Sequence, residues 1–166
     1  MSLLPHQLSM TVVMTPDLSN YADQVQGGAL LRLMDQAAYA CASRYTAARV
    51  TTVCVDQTDF QDVVRVGELV TLLASVNFTD ASSIEVGVKL VAEDYRTQTV
   101  RHVTSCFFTL TAMDEDGVPV LVHPLRPGSP DALRRYKAAQ TRRRMRHEIR
   151  EMYMRLHQGD VLEAAA

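Results

Sequence analysis

Residues 29–45, ALLRLMDQAAYACASRY, are the stretch that decides the fold of this 166-residue chain. Alanine and leucine dominate it and no glycine, proline or β-branched residue interrupts it, so it predicts a helix. Apolar side chains fall on nearly every face of that helix, and its few strongly polar members are Arg32, Asp35, Gln36, Ser43 and Arg44. A helix that is apolar almost all round is buried almost all round, so the rest of the fold must cover it.

The residues on either side of this helix alternate between apolar and polar with a period of two, which is typical of half-buried antiparallel strands. The alternation is clear in 70–78, 84–90 and 100–112, and weaker in 8–14 and 50–60. A buried helix and an antiparallel sheet each need the apolar face of the other. We therefore predict an α+β fold in which the sheet wraps around one long helix.

The C-terminal part of the chain differs from the rest in charge. Nine of the 17 Lys and Arg residues lie in 131–155 beside three acids, so the remainder is acidic. The segment HPLRPGSP, residues 123–130, holds three of the six prolines and should end regular structure before a helix capped by Ser129. We predict a domain over 8–123, a Pro-rich linker over 124–130, a basic helix over 131–158 and a tail over 159–166.

Composition excludes several classes of protein. Hydrophobic residues make up 47% of the chain and charged residues 22%, which is globular composition. The net charge of −2 gives no support for nucleic-acid binding, and no apolar run approaches the ~20 residues of a membrane span. The start, MSLLPHQLSM, lacks a basic residue before its apolar ones and is not typical of a signal peptide. Three cysteines without a CxxC pair predict buried thiols in a reducing cytoplasm, with no metal or cofactor.

Five motifs in register resemble one known family. They are NYADQVQGG at 20–28, LxxMD at 31–35, VTTVCVDxxxF at 50–60, VGELV at 66–70 and SSIEV at 82–86. Together they resemble the hot-dog acyl-CoA thioesterases, and more narrowly the acyl-CoA hydrolase branch with the YciA-like and brain-type enzymes. The resemblance runs over about residues 8–124. It implies a hot-dog fold, a homo-oligomer that is a dimer at minimum or a trimer of dimers, and hydrolysis of fatty acyl-CoA to free acid and coenzyme A.

Three positions depart from the pattern of that family. The family usually has glycine where this chain has Asp23, asparagine or aspartate at Gln24, and histidine or phenylalanine at Gln26. Asp23 adds a negative charge where a substrate rich in phosphates must pass, so it bears on rate and acyl preference more than on fold.

Asp35 is a carboxylate in the middle of an apolar helix and is the first candidate for catalysis. Burying an unpaired charge is costly, so such a group needs a partner or a functional cleft. It could act as general base or as nucleophile on a thioester, and the alternative is a structural ion pair with Arg32 one turn earlier.

Gly27 and Gly28 precede the helix, and the free amides at a helix N-terminus carry partial positive charge. They are candidate oxyanion donors, with a simple turn and cap as the alternative. Asn20 could orient the attacking water or the substrate carbonyl, or it could be a turn residue. At ~1.5 Å per residue, Gly27 and Asp35 lie roughly 12 Å apart, so one carbonyl cannot touch both. We therefore expect a site that combines Asn20 and Gly27 of one subunit with Asp35 of another.

The remaining candidates are residues that could bind coenzyme A. Ser82 and Ser83 match the family's segment near the coenzyme, although ordinary turn roles would also explain them. Thr51 flanks an apolar strand and could line or support the site, with an ordinary strand role as the alternative. Arg142 and Arg143 lie in the basic tail, where arginine forks suit phosphate oxygens. A solvated basic face and nucleic-acid binding are the alternatives for that tail.

Two functions compete with hydrolysis. One is a hot-dog binding protein that senses acyl-CoA without cleaving it. The other is hydration of an enoyl thioester, a reaction that usually uses a histidine with an acid, whereas residues 17–35 contain no histidine.

Overall fold

The computed structural model describes the backbone of residues 5–163 and the side chains of residues 5–156. The chain divides after Leu125 into two compact units, and that division falls inside the predicted linker over 124–130. Of the predicted tail, residues 164–166 lie outside the described residues.

Within the described residues, the first unit consists of one sheet and one long helix, joined by loops and a 3-10 turn at Pro16–Leu18. The helix, α1, spans Gly27–Thr46, and the strands are β1 (Gln7–Val13), β2 (Arg49–Val55), β3 (Leu69–Asp80), β4 (Ser83–Asp94) and β5 (Thr99–Met113). Every strand pair is antiparallel, in the order β1-β3-β4-β5-β2. The predicted α+β class and the antiparallel sheet are confirmed.

Helix α1 is buried against one face of this sheet and contacts all five strands. Its buried residues are Leu30, Leu33, Met34, Ala37, Ala38, Cys41, Ala42 and Tyr45. The small alanine side chains allow the helix to approach the sheet closely. The helix ends at Ala47, whose φ of 53° is the left-handed conformation of a common C-terminal cap. Gly28, Arg32, Gln36 and Tyr39 are exposed along the other side of the helix, so the prediction of a helix buried almost all round is wrong for that side.

Strand β2 lies at the edge of the sheet, with β5 as its neighbour. Its register shifts between Thr52 and Cys54, and the ladder ends at Val55. The residues beyond it stay beside β5 only through isolated hydrogen bonds, such as the one from the Asp56 amide to the Phe107 carbonyl at 3.0 Å. The predicted strand over 50–60 is therefore too long, because the chain leaves the ladder to reach the start of α1.

The second unit contains helix α2, which spans Pro130–Glu163 and runs beyond the predicted end at 158. The Ser129 hydroxyl accepts a hydrogen bond from the Ala132 amide at 3.1 Å, which confirms Ser129 as the cap. Arg134 and Arg135 pair with the Asp131 carboxylate in the first turn and hold its pKa below the ordinary value. Neither helix, over the residues described, is long and apolar enough to cross a membrane.

Candidate active site

Asp35 lies on the side of α1 that faces β2. The Thr52 hydroxyl donates a hydrogen bond of 2.8 Å to Asp35 Oδ1, and both residues are half-buried. Over residues 5–156 the other carboxylate oxygen, Oδ2, has no protein partner, and no ion pair joins Asp35 to Arg32. The structure therefore does not support the ion-pair alternative. One oxygen is held and the other is available to accept a proton from water.

Thr52 is the site residue that sequence reasoning missed. Residues directly opposite each other in a ladder share a face of the sheet, and Thr52 lies opposite the fully buried Leu110. Thr51 lies opposite Thr111, which in turn lies opposite Ser83, so Thr51 and Ser83 are on the face turned away from α1. The buried Val50, two residues before Thr52, is the signal that could have identified it.

Ser82 and Ser83 lie at the turn between β3 and β4. The Ser82 carbonyl accepts a hydrogen bond from the Ala112 amide at 2.9 Å, and Ala81 before it has a positive φ of 47°. Within the described residues neither serine hydroxyl is hydrogen-bonded, so both are available to a ligand.

The start of α1 leaves two amides unused. Gln26 is the N-cap residue, and its carbonyl accepts the amides of Ala29 and Leu30 at 3.0 and 3.1 Å. In the part of the chain that the structure describes, the amides of Gly27 and Gly28 donate no hydrogen bond. A Cβ at position 27 would lie 3.1 Å from the Phe60 ring, whereas one at position 28 would meet nothing within 4 Å. The close approach of Phe60 thus favours glycine at 27 in particular.

Asn20 lies in the loop that leads to this helix start. Its Oδ1 accepts hydrogen bonds from the amides of Ala22 and Gln24, at 2.9 and 3.2 Å. Its Nδ2 group donates none within the described residues and remains available to a substrate oxygen. The side-chain oxygen of Asn20 therefore stabilises the turn, and its side-chain nitrogen is a candidate hydrogen-bond donor to the substrate.

The departures from the family pattern fit this loop. Asp23 has a φ of 55°, which is the left-handed region where glycine is favoured and aspartate is tolerated. The Gln26 side chain donates a hydrogen bond of 3.1 Å to the Ser19 carbonyl and ties the loop to the helix start. Asp23 and Gln26 are thus compatible with this loop conformation, although the family usually has other residues at both positions.

The candidate residues form two clusters in one subunit. Asn20 and the Gly27 and Gly28 amides belong to the start of α1, and Asp35 with Thr52 lies about two helical turns further on, or ~12 Å at 1.5 Å per residue. One protomer does not bring the two clusters onto a single carbonyl.

A further polar group that the sequence did not suggest joins three residues. His102 Nε2 lies 2.9 Å from the Ser105 hydroxyl, and His102 Nδ1 lies 3.1 Å from Gln61 Oε1. Ser105 lies opposite Lys89 and Lys89 opposite the exposed Leu73, so this group is on the sheet face away from α1 and Asp35. It is separate from the candidate active site.

The cysteines differ in burial. Burial raises the pKa of the Cys41 thiol to about 11 and also raises the pKa of Cys106. Cys54, on the edge strand, is only half-buried, so the prediction that all three thiols are buried is wrong for this one. Over the residues described, no cluster of histidine, cysteine or acidic side chains could hold a metal ion. In the second unit Arg142 is half-buried and Arg143 is exposed.

Comparison with known proteins points to one family. The thioesterase superfamily matches residues 25–98, which include the Gly27 amides, Asp35 and Thr52. Protein VdlD of Helicobacter pylori is 38% identical over 140 residues, 84% of this chain and 80% of that protein. The cytosolic acyl coenzyme A thioester hydrolase of Rattus norvegicus is 30% identical over 120 residues, 71% of this chain but 32% of that enzyme. The crystal structure of an apo-hexameric acyl-CoA thioesterase has a TM-score of 0.82 at 27% identity, and the match covers 86% of this chain and 91% of that one.

Proposed function

Because this chain belongs to the thioesterase superfamily and has its hot-dog fold, we propose that it hydrolyses fatty acyl-CoA to the free acid and coenzyme A. The observation that carries the proposal is the Asp35 carboxylate, held by Thr52 at one oxygen and unpartnered at the other within the described residues. The names of the rat relative and of the hexameric neighbour support the substrate class.

The chemistry assigns one role to each group. Asp35 Oδ2 takes the proton of the attacking water, or attacks the thioester carbonyl itself, while Thr52 keeps the carboxylate in place. The amides of Gly27 and Gly28 stabilise the negative charge that develops on the carbonyl oxygen. Asn20 Nδ2 is the third donor for that oxygen or for the water. When Asp35 acts as the base, the C–S bond breaks and the thiolate of coenzyme A takes the proton that Asp35 removed from water, which leaves the free acid. When Asp35 acts as the nucleophile, the thiolate leaves and takes a proton from solvent, and water then hydrolyses the acyl-aspartate anhydride to the free acid.

The active site forms between two subunits in this proposal. β2 is an edge strand with exposed Val53 and Val55, and such an edge readily pairs with another strand. The chain runs from Thr52 to Phe60, which lies against Gly27. In a twofold dimer that pairs two antiparallel β2 strands, the start of one lies beside the end of the other. Asp35 would then lie near Gly27 and Asn20 of the partner subunit. The hexameric neighbour supports assembly into an oligomer.

Coenzyme A is proposed to lie along the groups that remain. Within the described residues the hydroxyls of Ser82 and Ser83 form no hydrogen bond, and Thr51 lies on the same sheet face as Ser83. Arg142 and Arg143 are separate candidates for contacts to the phosphates of coenzyme A, in this or a neighbouring subunit. The three free cysteines support a cytoplasmic location.

The test is release of free thiol from acyl-CoAs of graded chain length, followed with a thiol reagent. We expect turnover with the purified chain and a rate lower by roughly 10²–10⁴ with Asp35→Asn, and a reaction without acyl-CoA corrects for the protein's own thiols. Tight binding of acyl-CoA without turnover at any chain length would instead favour the acyl-CoA sensor.

A further inference from the structure

Arg101, on β5, binds one loop at three points. Its Nε lies 2.7 Å from Asp62 Oδ2, and its Nη2 donates to the Val63 carbonyl at 2.6 Å and to Glu68 Oε2 at 2.7 Å. Glu68 is a nearly buried carboxylate, 6% exposed, and its Oε2 also accepts the Arg65 amide at 2.8 Å. Arg101 and Glu68 together close residues 62–68 into a fixed turn.

The same turn holds the start of α1. The Val64 carbonyl accepts the Val25 amide at 2.8 Å, and Arg65 forms a backbone bridge with Gln24. Val25 and Val64 are both buried, so this short pairing belongs to the core. Phe60, two residues before this turn, lies against Gly27. The chain from Gln24 to Gly27 is thus attached to the segment that Arg101 and Glu68 fix.

We propose that Arg101 is a positioning residue, whose ion pair with Glu68 sets the position of the Gly27 and Gly28 amides through the Val25–Val64 hydrogen bond. The consequence for turnover rests on the proposed function, in which these amides act on the substrate oxygen. The effect of Arg101 on the position of the start of α1 does not depend on the proposed function.

The size of the effect follows from burial and geometry. Removing the guanidinium leaves the Glu68 carboxylate buried without a counter-charge, and the turn must open to let water reach it. A shift of the amides by about 1 Å is enough to cost a factor of roughly 10² in the chemical step. Since these donors act mainly as charge develops, the loss should fall on kcat and leave KM nearly unchanged.

The experiment compares Arg101→Gln with Val86→Ala, a core variant on β4 whose side chain is fully buried. Glu68→Gln is the milder second variant, because it keeps the size of the side chain and removes only its charge. All variants are assayed well below their unfolding temperatures, for acyl-CoA turnover and for hydrogen exchange at the Val25 amide. We expect kcat to fall ~10- to 100-fold with KM within about threefold, and exchange at Val25 to rise, in the Arg101 and Glu68 variants only.

Two results would overturn the proposal. Unchanged exchange at Val25 in both ion-pair variants would mean that Arg101 does not hold the helix start. Faster exchange with unchanged kcat would mean that turnover does not depend on that position. Failure of the wild-type chain to turn over any acyl-CoA would refute the proposed hydrolysis instead, and the exchange comparison would still decide whether Arg101 holds the helix.

Discussion

The two oxygens of Asp35 have different surroundings, and that difference determines how the residue can act. Oδ1 accepts the Thr52 hydroxyl at 2.8 Å, whereas Oδ2 has no protein partner among the described residues. A carboxylate held at one oxygen keeps its orientation and presents the other to water. In the proposed mechanism, Thr52 therefore acts on the reaction only through the position of Asp35.

Asp35→Asn should lower kcat by roughly 10²–10⁴, because it preserves shape and removes the base. Thr52→Val should lower kcat less, by about 10-fold, since it removes one hydrogen bond to a charged group. Steady-state kinetics on one acyl-CoA measures both. Thr51→Val is the matched comparison, because its hydroxyl lies on the opposite sheet face and any effect should appear in KM. An equal loss of kcat in Thr51→Val and Thr52→Val would contradict the assignment.

Gly27 and Gly28 should respond differently to alanine. At position 28 the new methyl meets nothing within 4 Å, so the usual gain of about 0.4–1 kcal/mol in unfolding free energy is expected. At position 27 the methyl would lie 3.1 Å from the Phe60 ring, and this gain should be lost or reversed. Denaturant unfolding measures the difference, and Phe60→Leu combined with Gly27→Ala should restore the gain. Equal stabilisation by the two alanines would show that Phe60 does not restrict position 27.

At the scale of elements, α1 and the sheet form the hydrophobic core. Cys41 on α1 shows how burial in this core changes the pKa of a side chain. This thiol is fully buried on α1, and burial raises its pKa from 9.0 to about 11. The folded state therefore disfavours the thiolate. Its contribution to stability is complete below pH 9 and is lost as pH rises from 9 to about 11.

The unfolding free energy should accordingly fall more steeply above pH 9 in the wild-type chain than in Cys41→Ala. A shift of two pKa units corresponds to a difference of at most about 2.7 kcal/mol between pH 9 and 11. Denaturant midpoints at several pH values measure it, with each variant referred to its own value at pH 8. Parallel curves for the two proteins would exclude a role for Cys41 in the alkaline loss of stability.

Helix α2 contributes to substrate binding in our account only through charge. Replacing Arg142 and Arg143 with alanine should raise KM and leave kcat nearly intact, as expected when uniform binding energy is lost. Arg150→Ala, further along the same helix, is the comparison for a general loss of positive charge. An unchanged KM at physiological salt would mean that this part of α2 is only a solvated basic face.

The secondary-structure elements were predicted from the sequence more accurately than the contacts between side chains. The apolar run over 29–45 and the period-two strands led to the right sheet and helix, because burial patterns repeat over many residues. The predicted end of β2 was wrong because the register shift after Thr52 and the end of the strand at Val55 depend on the path of the loop that follows. The Thr52–Asp35 contact was not predicted for a related reason. Thr51 and Thr52 are adjacent and identical in the sequence, and they differ only in the face of the sheet on which each side chain lies. Asp35 was found as a charge within an apolar helix and Gly27 as the start of that helix, and the resemblance supports both together with Asn20. Their catalytic roles remain predictions.

At the scale of the whole molecule, the proposed mechanism links catalysis to assembly, because the two clusters of candidate residues are separated along α1. Asp35 with Thr52 lies beside the edge strand, and the Gly27 amides with Asn20 lie at the start of the helix. In the proposed mechanism, a monomer contains both groups of catalytic residues but cannot apply them to one carbonyl. We expect dissociated subunits to be inactive even when folded.

Mixing two inactive variants tests this shared site most directly. Asp35→Asn and Asn20→Ala each damage every site of their own oligomer, but a mixed dimer has one site with both lesions and one with neither. After co-refolding, random pairing makes about half of the dimers mixed, so about a quarter of wild-type activity should return. Mass spectrometry confirms the mixed dimers. If each subunit owns a complete site, every site keeps one lesion, and no recovery in the presence of confirmed mixed dimers would contradict the account.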